Sequence, residues 1–229
     1  MEKSTRKASR SEVAPGPPGD DPRRLRENTL IEARRSLILD AARAAFFELG
    51  LEGASLREIA KRAGYTPGAL YSYFASREEI YAALLGESLD RLKHQVDTAA
   101  TTAAIETAAP AIAAANLRAQ ALAFFAFYRD NPRDLDLGFY LFNGTRPRGL
   151  TPELNQQLNA RLKSSLLPIQ QALIALGQPE PTAIAETTAI FAQAVGLLIL
   201  NQTGRIRLFR QDAQSLFERH VDGLLARLA

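Results

Sequence analysis

The sequence predicts an all-α protein. Ala and Leu dominate a chain of 229 residues in which 46% are apolar, and both residues favour helix by intrinsic propensity. Segments that alternate apolar β-branched or aromatic residues with polar ones, which would indicate strands, are absent. Ser or Thr residues at helix-start positions and two Thr-Pro pairs indicate helices instead. The chain is long enough for one large or two modest domains.

The composition also excludes several kinds of chemistry. The chain has no cysteine, so disulfides, thiol nucleophiles and thiolate metal sites are ruled out. Its two histidines, His94 and His220, lie far apart in sequence and do not indicate a zinc site or a nucleophile–base pair. No phosphate-binding glycine loop is present. We therefore expect no metal, no cofactor, no catalytic residue and no enzymatic activity.

Two segments bear on order and on membranes. Residues 1–27 are rich in charge, Pro and Gly and carry no apolar signal-peptide segment, so we expect a disordered basic arm. The most apolar run is Ala189–Leu200, which contains Gln193. It is shorter than the roughly 20 residues that a membrane span needs. We expect this run to be buried in a core or an interface, and we expect no membrane association.

Residues 28–85 form the first predicted helical domain. Its first helix carries apolar residues at steps of three and four and ends at Gly50, a residue suited to a helix C-terminus. Ser55 and Glu58 have the spacing of a capping box, in which each side chain accepts a hydrogen bond from the backbone amide of the other. The short helix that they begin ends at Gly64.

A second short helix follows at Thr66-Pro67. Thr is a favourable N-cap, and Pro at the first helical position loses no hydrogen bond because that amide has no intrahelical partner. This helix has room for two turns, with Leu70 and Phe74 four residues apart on its inner side.

A second capping box, Ser76 with Glu79, begins a longer helix that we expect to run to about Val96 and to join two domains. The second of these, residues 86–229, is predicted to be larger and wholly helical.

The remaining helices are marked mainly by prolines. One ends before Pro132, and a short aromatic segment follows it. Thr151 with the next proline begins a long amphipathic helix that we expect Pro168 to interrupt. Two further helical segments, residues 181–204 and 212–228, complete the chain.

The two short helices and the four-residue, Gly-containing turn between them are typical of a helix-turn-helix unit. In such a unit the second helix enters the DNA major groove, and its N-terminal residues reach base edges. The first turn of this helix has little side-chain bulk, so its backbone could approach DNA closely. Gly68 otherwise costs about 0.8–1 kcal/mol against Ala in a helix. The residues that we expect to contact DNA are Ser55, Thr66, Pro67, Gly68, Ala69, Tyr71, Ser72, Tyr73 and Arg77.

The expected roles of these residues follow from their positions. Tyr71 and Ser72 lie on the face opposite Leu70, where they can reach a base edge, a thymine methyl or a phosphate. Tyr73 and Arg77 are placed to contact phosphates, as is Ser55 in addition to its capping role. The alternative is a small helical corner whose tyrosines only pack. The net charge of +3 permits a polyanionic partner without indicating one.

The segment Ile38–Leu85 resembles the TetR family of transcriptional repressors. It reads "ILDAARAAFFELGLEGASLREIAKRAGYTPGALYSYFASREEIYAALL". It matches the family's F-x-x-x-G helix end, its S/T-x-x-x-I-A-x-x-A-G segment, its L-Y-x-Y/H-F helix and its S-K/R-E-E-L/I start. The resemblance covers about a fifth of the chain. It departs from the family at Pro67, where Ser, Lys or Arg is frequent, and at Ala69, so apolar contact with thymine methyls is a plausible readout.

The resemblance implies a function and residue roles. It places Thr66, Pro67, Gly68 and Tyr71 near bases. It places Ser55, Ser72, Tyr73 and Arg77 on phosphates. It implies a cytoplasmic, dimeric repressor that binds a palindromic double-stranded DNA operator and is released by a small apolar effector. An activator, a corepressor-dependent regulator, a scaffold and an enzyme remain alternatives. The basic arm either aids solubility or contacts DNA.

The second domain supplies two further sets of candidates, for which packing in the chain's own core is the alternative. An aromatic set is expected to line a ligand cavity. It consists of Phe124, Phe125, Phe127, Tyr128, Phe139, Tyr140 and Phe142, with Asn143 and Phe191. A set of mostly aliphatic residues in the last two helices is expected to form a homodimer interface. It consists of Ile190, Ala194, Val195, Leu197, Leu198, Leu216, Val221, Leu224, Leu225 and Leu228.

Overall fold

The all-α prediction is confirmed in a computed structural model, which describes residues 22–103, 109–139 and 150–228. These ranges hold α-helices and one 3-10 segment, with no strand. The α-helices are α1 Pro22–Gly53, α2 Leu56–Ala63, α3 Pro67–Leu70, α4 Arg77–Ala103, α5 Ala109–Asp130, α6 Pro132–Phe139, α7 Pro152–Ala175, α8 Glu180–Gln202 and α9 Ala213–Leu228. The 3-10 segment, Arg205–Phe209, joins α8 to α9.

Glycines with positive φ turn the chain around α2. Gly50 has a φ of 71° inside α1 and breaks its helical geometry three residues before its end. Gly64 has a φ of 73° and ends α2 in the left-handed conformation, with its amide donating to the Ala60 and Lys61 carbonyls. Only glycine adopts this region without a steric penalty, so both predicted helix ends are confirmed.

The predicted N-caps are confirmed. The hydroxyls of Ser55, Thr66 and Thr151 each accept a hydrogen bond from the backbone amide three residues on, at 3.2–3.3 Å. The Ser76 hydroxyl does the same for the Glu79 amide at 3.1 Å.

Each capping box also predicts a hydrogen bond from the serine amide to the glutamate carboxylate. This second prediction is wrong in both boxes. The Glu58 carboxylate accepts from Arg62 Nε at 2.8 Å, and the Ser55 amide donates to the Gly53 carbonyl instead. The Glu79 carboxylate accepts from the Ala75 amide at 2.6 Å, one residue before the predicted donor.

Four predicted helix extents differ from the structure. Helix α3 spans a single turn, Pro67–Leu70, instead of two. Helix α1 begins at Pro22, so the predicted disordered arm is wrong for residues 22–27; proline suits the first turn, and Arg and Leu are good helix formers. Helix α4 runs past Val96 to Ala103. Helix α7 continues through Pro168. Residues 1–21 of the arm lie outside the described residues.

Helix α4 connects two hydrophobic cores. Ile80 and Leu84 join the first core, which α1, α2 and α3 complete through residues such as Ile38 and Phe74. The other face of α4 joins the second core together with α5 and α7–α9. Because α4 belongs to both cores, it fixes how the first three helices are oriented relative to the rest of the described chain.

Helices α5 and α8 are long and apolar enough to cross a membrane by length and composition alone. The segments are Pro110–Asp130, with a mean hydropathy of 1.2, and Glu180–Gln202, with 1.8. The run Ala189–Leu200 lies within the longer helix α8, so its own length does not exclude a span. The expectation that this run is buried in a core is confirmed for Ile190, Ala194 and Leu198. Both helices contribute buried residues to the second core, including Leu117 and Ile190, which is ordinary for core helices. The absence of membrane association stays a prediction.

Candidate nucleic-acid interface and helical-domain sites

The start of α3 presents the predicted DNA-contacting residues to solvent. Thr66, Pro67, Gly68 and Ser72 are exposed, and Tyr71 is 57% exposed. On the opposite side Leu70 and Phe74 are each 1% exposed and anchor the helix in the first core. The short helix is therefore held by its inner face, while its outer face is open to solvent.

Gly68 stands in open space. A Cβ built on this residue meets no atom within 4 Å, and its φ does not lie in the left-handed region. Neither a packing contact nor a backbone turn in the described chain requires glycine here. An approaching external surface would account for the missing side chain.

Tyr73 is held by two arginines of α1 that sequence reasoning did not single out. Arg35 Nη1 donates to the Tyr73 carbonyl at 2.9 Å, and its guanidinium lies 4.2 Å from the centre of the Phe74 ring. Arg34 Nη1 donates to the Tyr73 hydroxyl at 3.3 Å, and this hydrogen bond raises the pKa of Arg34. The pairs are almost 40 residues apart, so no local spacing could have indicated them.

The remaining predicted contacts are less accessible or already engaged. Ala69 is half-buried, and so is Arg77, whose guanidinium donates to the Glu78 carboxylate at 3.1 Å. Ser55 is exposed, and its hydroxyl accepts the α2 capping bond. A hydroxyl that accepts in a cap keeps its own proton for donation to a phosphate.

The described members of the aromatic set pack against one another. Phe124 makes edge-to-face contacts with Tyr128 and Phe191 at ring separations of 5.3 and 5.8 Å. Phe139 contacts the same two rings, and Phe127 contacts Tyr128. Phe125 instead stacks on Phe217 at 4.8 Å. The set thus forms part of the second core. Tyr140, Phe142 and Asn143 lie outside the described residues.

Two buried polar atoms belong to residues one helical turn from these rings. Gln120 Oε1 and Thr187 Oγ1 have no hydrogen-bond partner among the described residues, and each side chain is 6% exposed. Gln120 is one helical turn before Phe124 on α5, and Thr187 is one turn before Phe191 on α8. A buried polar group without a partner costs free energy, so this part of the core combines aromatic walls with unused hydrogen-bonding capacity.

The predicted dimer residues are largely buried within the single chain. Six of them are at most 7% exposed and belong to the second core: Ile190, Ala194, Leu197, Leu198, Val221 and Leu224. The prediction that these six form a partner surface is wrong, because α8 and α9 pack these faces against the chain's own helices. Val195, Leu216, Leu225 and Leu228 are only partly buried.

A different face of α8 is apolar and exposed. Ile184 and Ile199 are 47% and 40% exposed, and Thr188, Ala192 and Gly196 lie between them at helical spacing and are exposed as well. We refer to these five residues as the outer face of α8. It combines two large apolar side chains with small residues that would allow another helix to approach closely.

Two family models match the chain. Residues 38–84 match "Bacterial regulatory proteins, tetR family". Residues 117–224 match "Tetracyclin repressor-like, C-terminal domain". Together the two models cover about two thirds of the chain. They include the buried residues of the first core and most of those of the second.

One curated relative is the HTH-type transcriptional repressor AcnR of Corynebacterium diphtheriae. It is 36% identical over 69 residues, which are 30% of this chain and 36% of the relative. The match thus spans about a third of that relative's length.

Solved structures show the same fold over most of the chain. The regulatory protein SCO4313 superposes with a TM-score of 0.70 at 22% identity and covers 87% of this chain and 98% of its own. FadR from Bacillus subtilis, solved with stearoyl-CoA, has a TM-score of 0.59 at 21% identity and covers 83% and 96% of the two chains. With a family model matched in each domain, the chain belongs to the tetR family of bacterial regulatory proteins.

Proposed function

We propose that the protein is a ligand-responsive, DNA-binding transcriptional regulator that represses by binding a palindromic operator as a dimer. The observation that carries this proposal is the exposed face of α3, where Gly68 and Tyr71 project from a packed scaffold and no contact with another described residue requires them. A second helix of a helix-turn-helix unit reads the major groove from this position.

Each predicted contact has a proposed role. Thr66, Pro67, Gly68, Ala69 and Tyr71 approach base edges, with Pro67 and Ala69 suited to thymine methyls. Ser55, Ser72, Tyr73 and Arg77 contact phosphates, which fix register without specifying sequence. The bond from Arg34 to the Tyr73 hydroxyl supports adding Arg34 to the phosphate-contacting set.

Selection of bound duplexes from a random DNA pool tests this proposal. We expect a pseudo-palindrome whose affinity falls steeply with salt, because phosphate contacts release counterions. Tyr71→Ala should lower affinity for the selected duplex about tenfold, in keeping with the loss of one good base contact. Phe209→Ala is the matched control, because Phe209 is 70% exposed and lies outside the first domain.

Equal affinity of both variants and the parent protein would contradict the proposed reading face. Failure to enrich any duplex, with and without candidate corepressors, would contradict the DNA-binding function and favour a scaffold. Repression and activation are separated by a reporter that carries the selected operator at different distances from a promoter.

An effector site is proposed within the aromatic set of the second domain. The unpartnered Gln120 and Thr187 oxygens beside the Phe124 and Phe191 rings support it, because small-molecule sites pair apolar walls with a few polar groups. Effector binding would shift the population towards a conformer with weaker operator affinity. Operator affinity that stays constant while a molecule saturates this site would contradict the mechanism.

Dimerisation is proposed to use the outer face of α8. A single helix-turn-helix unit covers one half-site, and two half-sites about 34–36 Å apart, or a multiple of that distance, require two chains. The exposed Ile184 and Ile199 with small residues between them support this face in place of the buried residues on the opposite side.

A further inference from the structure

A cleft separates the first helical domain from the second. Its volume is about 600 Å³, within the roughly 300–1,000 Å³ of small-molecule sites. One wall is the C-terminal part of α1 with Phe46 and Phe47, a second is α4, and a third is the junction of α5 and α6, Asp130–Leu137. None of the described residues that line it belongs to the aromatic set of the second domain.

The floor of the cleft is apolar and aromatic. Phe46 and Tyr81 meet edge to face at 6.3 Å, and Leu84 and Leu137 lie beside them. The Tyr81 hydroxyl already donates to the Leu137 carbonyl at 2.5 Å. Tyr81 and Leu84 are almost fully buried, so contact area for an apolar body comes from the partly buried Phe46 and Leu137 and from the exposed Phe47. The phenol of Tyr81 is already committed to a hydrogen bond.

The acidic groups at the rim already have partners. Asp134 accepts from Arg91 at 2.6 Å, and Asp130 accepts from Arg129 at 2.7 Å. Asp136 accepts from Gln202 Nε2 at 2.7 Å.

The basic groups at the rim differ from one another. Arg43 donates to Asp40 at 2.6 Å and to Glu87 at 3.1 Å, and Arg91 is engaged by Asp134. Arg133 has no carboxylate partner among the described residues; its guanidinium lies 4.1 Å from the centre of the Phe47 ring. Its N–H groups are thus available at the cleft mouth, above a ring that is 58% exposed.

We propose that this cleft is a second ligand site, which takes a small molecule with an aromatic or apolar body and a single anionic group. The body lies on the floor against Phe47, and the carboxylate or sulfonate pairs with the Arg133 guanidinium. Guanidinium binds such planar or three-fold anions through charge-assisted, often bidentate hydrogen bonds.

Occupancy of the cleft has a consequence for DNA binding, and this consequence rests on the proposed function. The walls belong to α1 of the first domain and to α5 and α6 of the second, so a bound molecule contacts both domains at once and favours one relative orientation of them. The bound molecule changes operator affinity to the extent that it binds the DNA-binding conformer and the released conformer with different free energies.

Fluorescence titration with 1-anilinonaphthalene-8-sulfonate tests the site, with uncharged N-phenyl-1-naphthylamine as the comparison probe. We expect saturable binding of the sulfonate, weakened about tenfold or more by Arg133→Gln while the uncharged probe is unaffected. Arg207→Gln, an exposed arginine in the 3-10 segment, should change neither. Phe47→Ala should weaken both probes, whereas Leu37→Ala, equally exposed on α1, should weaken neither.

Sulfonate binding that is unchanged in Arg133→Gln and in Phe47→Ala would overturn the proposal, as would the absence of saturable binding. Affinity for the selected operator is then measured with and without saturating sulfonate. A protein that binds the probe as expected but no operator would retain the cleft site and lose the proposed function. Operator binding that is normal and insensitive to a probe bound in the cleft would overturn the regulatory part alone.

Discussion

At Gly68 helix stability would favour alanine, whereas the proposed DNA contact favours glycine. It lies in the first turn of α3, where Ala would favour the helix, and a Cβ on it meets nothing within 4 Å. Its neighbours are explained by the chain itself: Thr66 caps the helix, Pro67 begins it and Leu70 anchors it. Gly68 alone among them has no role in the described structure, which is the basis of its proposed close contact with DNA.

Gly68→Ala should separate stability from DNA binding. We expect the free energy of unfolding to stay the same or to rise by up to about 1 kcal/mol, because Ala loses less backbone entropy than Gly in a helix. Operator affinity should fall about tenfold or more, because the added methyl obstructs the approach of backbone to DNA. Urea denaturation and operator titration of the same preparation check both parts, and unchanged operator affinity would contradict the proposed contact.

Helix α7 shows how packing overrides a local signal. Pro168 has no amide proton, so the Ser164 carbonyl four residues earlier loses its intrahelical donor, and the sequence therefore predicted an interruption. The helix continues because Leu158 lies buried before the proline and Ile169 and Leu173 lie buried after it. Their burial holds both halves on one axis against α4 and α5.

Pro168→Ala should stabilise the protein. Alanine restores the donor to the Ser164 carbonyl and removes the ring from the preceding turn, so the free energy of unfolding should rise by about 1–3 kcal/mol. The rise is measured by urea denaturation at unchanged helical circular dichroism. A lower free energy of unfolding would contradict this expectation, because it would mean that packing of the half-buried proline ring outweighs the restored hydrogen bond.

At the scale of the whole molecule, α8 has apolar residues on two faces, one buried in the core and one exposed to solvent. Ile190 and Ala194 face the chain's own core, while Ile184, Ala192 and Ile199 face solvent. A helix that is apolar on both sides needs a second surface to cover it, and a symmetric dimer provides one through the same patch on each chain.

Ala192→Glu should therefore weaken the dimer. The substitution places a charge in the middle of the outer face of α8, and two such charges would meet across a two-fold axis. We expect a shift towards monomer in sedimentation velocity and a loss of operator affinity of about tenfold or more, with helical content unchanged. Ala160→Glu, at an exposed alanine of α7, is the matched control and should remain dimeric. A stable Ala192→Glu dimer would place the interface elsewhere.

The sequence by itself determined the helical class, the capped starts of α2, α3, α4 and α7, and the outward face of α3. These features depend on local interactions: Thr66, Ser55 and Thr151 cap helices through residues three positions away. Leu70 and Phe74 share a face because they are four residues apart. The two-domain order could be inferred for the same reason, since each helix is marked by its own ends.

The tertiary structure alone decided which apolar surfaces are inside and which distant groups meet. Helix α8 is apolar around most of its circumference, so periodicity could not distinguish its core face from its outer face. Six of the ten predicted dimer residues are buried in the core. Arg35 reaches Tyr73 across 38 residues, and the cleft brings Phe47 to Arg133. Such contacts depend on how helices pack, and packing reflects the sum of many weak side-chain interactions that no local spacing records.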